Sequence, residues 1–154
     1  MESRYGHFTV LISSIRRLVL KIKDMEMSEF GLKGTHLTCM FYISILRENG
    51  ECVTATDLCK VSGEDKAAIS RAVKDLETSG FLIQEGDTKK KYRANLKLTQ
   101  KGLQIVKVAD EKISYYEDFA SQDLSEKERE KLYRALESIE KNLSKVCEDK
   151  HKNN

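Results

Sequence analysis

The chain has 154 residues, 34% of them charged and 40% hydrophobic, and a net charge of +2. That length suits one domain with a core large enough to stand without metal or disulfide staples. Proline is absent and glycine numbers only 8; a fold built on tight turns and short strands would use more of both, so composition leans towards helix.

The longest uncharged apolar stretch, residues 37–46, falls well short of the about 20 residues a membrane span needs. The first residues lack the basic-then-apolar pattern of a signal peptide. The expectation is a cytoplasmic protein with no membrane partner. Cys39, Cys52, Cys59 and Cys147 are too few and too scattered for a disulfide scaffold.

Residues 7–23 carry Phe8, Leu11, Ile12, Ile15, Leu18, Val19 and Ile22 in steps of three and one, the stripe of a one-faced helix. Arg16, Arg17 and Lys21 lie off that stripe, and Gly31 and Gly34 punctuate the loop that follows. A second helix is predicted over residues 35–48, with Thr35 as its N-cap. Cys39, Met40, Phe41, Tyr42 and Ile43 make it apolar nearly all round, which places it centrally in the core. Asn49-Gly50 ends it.

Thr54-Ala-Thr-Asp57 reads as a capping box with Asp in place of Glu. A short helix follows over about residues 55–61 and stops near Gly63; another spans about 65–79 and stops at Gly80. The second has Ile69, Ala72, Val73 and Leu76 on one side. At 100° per residue, Ala67, Ser70, Arg71 and Lys74 point about 160° away from that stripe. One face is therefore expected to be buried, and the other to offer small, hydroxyl and basic side chains.

Phe81-Leu82-Ile83, a turn at Gly86-Asp87, and the alternation of Tyr92, Ala94, Leu96 and Leu98 with Arg93, Asn95 and Lys97 describe a β-hairpin. Thr99 then caps a long helix to about residue 120, with Val106, Ala109, Ile113 and Tyr116 facing inward. Ser125-Glu-Lys-Glu128 is a capping box. The last helix carries Leu132, Leu136, Ile139, Leu143 and Val146 at spacings of 4, 3, 4 and 3, the rhythm of a helix-on-helix seam.

Helix, short helix, turn, helix, hairpin is the order of a winged helix-turn-helix. The fold class is mainly α with a small β-hairpin wing. A helix with a small, basic free face can enter a major groove, and a hairpin with a cationic tip can grip the backbone beside it. Residues 86–101 hold six basic side chains and one acid, a net of +5 against +2 for the whole chain. Charge concentrated in this way is the footprint of a phosphate-binding surface.

Residues 54–102 resemble the MarR family of bacterial transcription regulators. The resemblance runs through Thr54-Ala-Thr-Asp-Leu58, Asp65-Lys-Ala-Ala-Ile-Ser-Arg71, Val73-Lys74, Leu76-Glu77, Gly80-Phe81-Leu82 and Leu98-Thr99-Gln-Lys-Gly102. The last matches the family's "LTxKG" opening of the long helix, and the flanking helices also fit. The resemblance implies one domain over residues 1–154. Its DNA-binding lobe would span about 35–100, with dimerisation helices at about 5–26 and 100–150. It implies a homodimer on a pseudo-palindromic operator, acting as a repressor that responds to a small aromatic or anionic effector. Arg16, Arg17, Met40 and Tyr42 are candidates to line the effector site. Phe8, Leu11, Ile15, Leu132, Leu136, Ile139, Leu143 and Val146 are the candidate dimer residues; for any one of them, intrachain core is the equal alternative.

On the DNA side, Ser70 and Arg71 are candidates for base or backbone contact, and Lys66 and Lys74 for phosphates. Ala67 is a candidate for a thymine methyl. Thr54 and Thr56 are candidates for phosphates, with helix capping as the alternative reading. Lys89, Lys90, Lys91 and Arg93 form the wing's cationic tip. The family's wing usually carries an Asp with arginines near its tip; here Lys90-Lys91-Tyr92-Arg93 lacks that acid. Lysine is a point charge rather than a groove-fitting fork, so this wing is expected to hold phosphates more than read groove shape.

An enzyme is disfavoured. His7, His36 and His151 are the only histidines, and there is no nucleophile motif or phosphate-cradling glycine loop. No cofactor is expected. Two other readings stay open at this point: a winged helix that binds only protein, and a redox- or metal-responsive regulator using Cys39, Cys52 or Cys59. Glu26, Glu29, His36 and Cys39 are the one set that could converge on a metal.

Overall fold

A computed structural model of the chain describes residues 4–86 and 94–152. Six helices and two strands follow in the order α1 (Arg4–Ser28), α2 (Gly34–Glu48), α3 (Ala55–Ser62), α4 (Lys66–Thr78), β1 (Leu82–Glu85), β2 (Asn95–Leu98), α5 (Gln100–Ala120) and α6 (Glu126–Lys152). This is the predicted winged helix-turn-helix with a long helix before it and two after it. Residues 1–113 and 114–154 form two compact units.

In the first unit, α1 outruns its predicted span at both ends. Its last turn is where it joins the core: Met27 is fully buried. One turn earlier, α1 meets α2. A Cβ on Gly34 would lie 3.0 Å from Lys23 Cβ and 3.2 Å from the Leu20 carbonyl. The Asp24 carboxylate accepts the Gly34 N–H at 2.6 Å. A carboxylate at a helix N-terminus satisfies an orphan donor and meets the positive end of the dipole.

Two expectations are corrected here. Gly34 is the first residue of α2 rather than part of the loop, and Thr35 lies inside the helix; the N-cap is Lys33, in an extended conformation. The Gly34 N–H is met by Asp24 of α1, and the Lys33 N–H by the ring of His36, three residues on.

The core is built around α2, as its pattern predicted. Leu37, Cys39, Met40 and Ile43 are fully buried, and Phe41, Tyr42 and Leu46 pack at its margin. Leu58 of α3, Ile69 and Leu76 of α4, and Leu82 and Leu96 of the strands close over it. Each side chain of this kind contributes about 1.5–3 kcal/mol when fully buried.

The strands are antiparallel, with Leu82 opposite Leu98 and Gln84 opposite Leu96. Ala94, Leu96 and Leu98 are buried while Lys97 is exposed, the predicted alternation. Tyr92, Arg93 and Asp87 lie outside the described residues. The Leu96 N–H also donates to the Val53 carbonyl at 2.7 Å, which attaches the hairpin's base to the segment before α3.

Thr99 caps α5 by accepting the Gly102 N–H at 3.1 Å. Ala109 is fully buried, as predicted, and Ile105 joins it, while Val106 and Ile113 pack at the core's edge. Gly102 sits against the chain's own backbone: a Cβ there would come within 2.2 Å of the Phe81 carbonyl oxygen.

In the second unit, Ser125 caps α6 as predicted. Its N–H donates to Glu128 Oε2 at 2.8 Å and its hydroxyl to the same oxygen at 2.5 Å. These bonds hold the Glu128 carboxyl below the usual range. Arg129 pairs with Asp118 at 3.2 Å, and the Tyr133 hydroxyl donates to the Glu117 carboxylate.

Candidate nucleic-acid interface

The candidate interface comprises the start of α3, the free face of α4 and the hairpin. Thr54 opens α3. Its hydroxyl donates to Asp57 Oδ2 at 2.6 Å, and the same carboxylate oxygen accepts the Thr54 N–H at 3.1 Å. The Thr54 hydroxyl is the main cause that holds the Asp57 carboxyl below its usual range. Thr54 is thus engaged as a cap, the alternative reading of this residue, while Thr56, two residues on, is exposed.

Gly63 ends α3 in the left-handed region at φ 67°, where glycine avoids the steric cost of a Cβ. Asp65 then caps α4, accepting the Ala68 N–H at 2.8 Å. The turn between the two helices is therefore fixed by local chemistry at both ends.

On α4, Ile69, Ala72, Val73 and Leu76 are all buried. Lys66, Ala67, Ser70, Arg71 and Lys74 are all exposed. Lys66, Ser70 and Lys74 border a groove of about 660 Å³ together with Thr56 of α3 and Gln84 of β1. The structure thus brings Thr56, Lys66, Ser70 and Lys74 together at one groove, while Ala67 and Arg71 are exposed but do not border it.

Asn95 organises the base of the hairpin. Its Oδ1 accepts from Arg47 Nη1 and from the Val53 N–H, each at 3.0 Å, and its Nδ2 donates to Glu85 Oε2 at 3.3 Å. Sequence reading saw Asn95 only as an outward residue of a strand. Its partners Val53 and Arg47 are 42 and 48 residues away, so no local signal marks it.

The charge count also changes. Lys97 is paired with Glu85 at 3.3 Å. Lys101 donates to the Ser79 carbonyl at 2.9 Å and lies 4.1 Å from the centre of the Phe81 ring. Two of the six bases in residues 86–101 are therefore committed within the fold. The other four, Lys89, Lys90, Lys91 and Arg93, lie outside the described residues.

Residues 30–91 match the model of the MarR family. The chain is also 23% identical over 141 residues to the HTH-type transcriptional regulator BilQ of Clostridium symbiosum, with 92% of this chain and 93% of that one covered. Over residues 30–91 the chain is similar to the MarR family. Members of the family are transcriptional regulators, not enzymes.

Solved MarR structures share its fold. A MarR protein from Peptoclostridium difficile superposes with a TM-score of 0.79 at 20% identity, covering 95% of this chain and 93% of that one. A putative MarR family regulator from Listeria monocytogenes, solved with a 26mer DNA, gives 0.76 at 24% identity, covering 95% and 92%.

The candidate dimer residues fall in two places. Phe8, Leu11 and Ile15 of α1 are 38–55% exposed. Leu132, Leu136, Ile139, Leu143 and Val146 of α6 are 37–54% exposed. None of these side chains is fully buried in the single chain.

Arg16 pairs with Glu64 at 3.2 Å and Arg17 donates to Ser14 at 3.3 Å. Both border a shallow groove of about 350 Å³ on α1. Met40 is fully buried, so it offers nothing to a ligand there, and Tyr42 does not line that groove.

All four cysteines are free. Burial pushes the Cys39 thiol up to about 12, which removes the thiolate that oxidation and metal binding require. Glu26, Glu29, His36 and Cys39 do not converge. Lys112 takes both glutamates, with Glu26 at 2.9 Å, and His36 faces Asp75. Among the described residues, no group of three or more His, Cys, Asp or Glu side chains could hold a metal ion.

Proposed function

We propose that the chain is a sequence-specific duplex-DNA-binding regulator of transcription, a cytoplasmic homodimer that represses from a pseudo-palindromic operator. The observation that carries the reading is the two-sided character of α4. Its apolar stripe is spent on the core, and Lys66, Ala67, Ser70, Arg71 and Lys74 are presented together on an open face. A helix so presented fits the major groove, where an arginine can bond guanine with both arms of its fork. The Listeria relative solved with DNA has the same fold.

In this reading Ser70 and Arg71 read bases, Lys66 and Lys74 hold phosphates, and Ala67 meets a thymine methyl. Thr56 bonds a phosphate; Thr54 reaches one only by giving up its cap. Lys89, Lys90, Lys91 and Arg93 grip the backbone beside the groove. The exposed stripes of α1 and α6 pair with those of a second copy. That second copy sets the spacing between two recognition helices, and half-sites one helical turn apart follow from it.

A repressor of this design responds to a ligand by shifting between states of different helix spacing. A small aromatic or anionic molecule fits the arginine-bordered groove on α1 by charge. DNA and a second copy of the chain are the partners, and the reading needs no cofactor.

Substituting Arg71→Ala tests the base-reading role. The expected result is a loss of about 1–3 kcal/mol on the operator, with binding to random DNA reduced only slightly. Equal losses on both DNAs would make Arg71 a phosphate-binding residue instead.

A further inference from the structure

Among the described residues, His36 is the one buried polar or charged side chain. It lies in the first turn of α2, and both of its ring nitrogens face a partner. Nδ1 accepts the Lys33 N–H at 3.0 Å. A ring nitrogen that accepts carries no proton, so the proton of the neutral ring is on Nε2. Nε2 stands 3.5 Å from Asp75 Oδ2 of α4.

The groups that face the ring are Asp75 from α4, Lys33 from the cap of α2 and Asp24 from α1. Burial is the largest influence and lowers the pKa, with Lys33 acting the same way; Asp75 and Asp24 oppose it. The net shift is downward, so the ring is neutral at pH 7 and its contact with Asp75 is that of an N–H donor, not a cation. Protonating Nδ1 would also set a second N–H against the Lys33 N–H and break the cap.

The position of this contact matters for α4. The stripe of Ile69, Ala72, Val73 and Leu76 holds that helix to the core by apolar packing, which is non-directional. Directional contacts decide how the helix is rotated. Among the described residues, α4 has, besides its own caps, a polar tie to the hairpin, Gln84 to Glu77 at 2.8 Å, and a tie to α2, the His36 contact.

We propose that His36 is a positioning residue for the DNA-reading face: as the Nε2–H form it ties α4, through Asp75, to the start of α2, and so sets the rotation at which Ser70 and Arg71 meet DNA. The inference rests on the DNA-binding reading above. Neither the sequence pattern nor the helix-turn-helix order assigns His36 such a role.

Three variants of the full chain test it on operator and random DNA between pH 8 and 5. His36→Asn keeps an acceptor for the Lys33 N–H but does not reach Asp75. Asp75→Ala removes the acceptor at a half-exposed site and spares the core. Asp75→Asn keeps an acceptor and removes the charge.

The first two are expected to lose roughly five- to tenfold in operator affinity at pH 7.5, the scale of one hydrogen bond, with random-DNA affinity unchanged. Wild-type operator affinity is expected to fall as the pH drops through the lowered value of the ring, below about 6.5. That step should be absent in His36→Asn, and in Asp75→Ala it should move to lower pH, because the charge that favours the imidazolium is gone. Asp75→Asn should bind as wild type at pH 7.5, with its acid step moved to still lower pH, because the charge that favours the imidazolium is gone. Nitrogen-15 spectra of the free protein should show the proton on Nε2.

Folded variants that match the wild type on the operator would overturn the inference, as would equal losses on both DNAs or a proton on Nδ1. A folded wild-type dimer that binds no DNA at low salt would overturn the DNA-binding reading itself, and the positioning role with it.

Discussion

Gly102 shows at the scale of one residue how a motif position acquires its physical reason. In the sequence it is the last letter of an "LTxKG" resemblance. In the structure the Phe81 carbonyl would stand 2.2 Å from any Cβ placed there, and a backbone oxygen at the hairpin's base does not give way cheaply. Gly102→Ala is expected to cost about 1–3 kcal/mol or more through overpacking, read as a lower urea midpoint. An unchanged midpoint would mean that the hairpin and α5 separate without penalty. Thr54 is the opposite case, legible from four consecutive letters because both partners of the cap are local. Thr54→Ala should cost about 1 kcal/mol of stability. Because the Asp57 carboxyl sits below its usual range, its contribution is full above that range and is lost as the pH falls through the lowered value. Urea titrations across acid pH should show a shallower loss in Thr54→Ala than in the wild type. His36 was not legible in this way: its carboxylate partner is on another helix, and in sequence it is one histidine of three.

The elements divide on the same principle. Helices α3 and α4 could be read nearly to the residue, and α6 at its start, since each begins at a local cap and α4 carries one clean buried stripe. The start of α2 could not. Its N-terminus is satisfied by Asp24 of α1 and by the ring of His36, so the local candidate Thr35 was a plausible cap with nothing to do. The base of the hairpin was legible as alternation, but not as the place where Asn95 gathers Arg47, Val53 and Glu85. That geometry fixes the strands and leaves the tip's chemistry to four basic residues. Replacing Lys89, Lys90 and Lys91 together with Ala should weaken operator and random DNA about equally. The slope of log affinity against log salt should become shallower by about 0.9 for each phosphate that is no longer neutralised. A loss confined to the operator would show that the wing reads sequence or groove shape.

For the molecule as a whole, periodicity identified the apolar stripes of α1 and α6 but could not say what covers them. Both stripes are partly exposed in the single chain. Exposed apolar surface on that scale is what the proposed second copy would cover. Leu136→Glu combined with Ile139→Glu should leave the fold intact, since neither side chain is buried, and should convert a dimer to a monomer in sedimentation velocity. A dimer that survives the pair would place the interface elsewhere. The central claim, that this fold is used to read duplex DNA, is met most directly by one titration. The protein is titrated onto DNA from upstream of its own coding sequence and onto random DNA of equal length, at several salt concentrations. The account predicts steeply salt-dependent binding with a preference of about a thousandfold or more for the upstream fragment. A folded protein that binds neither DNA at low salt would contradict it.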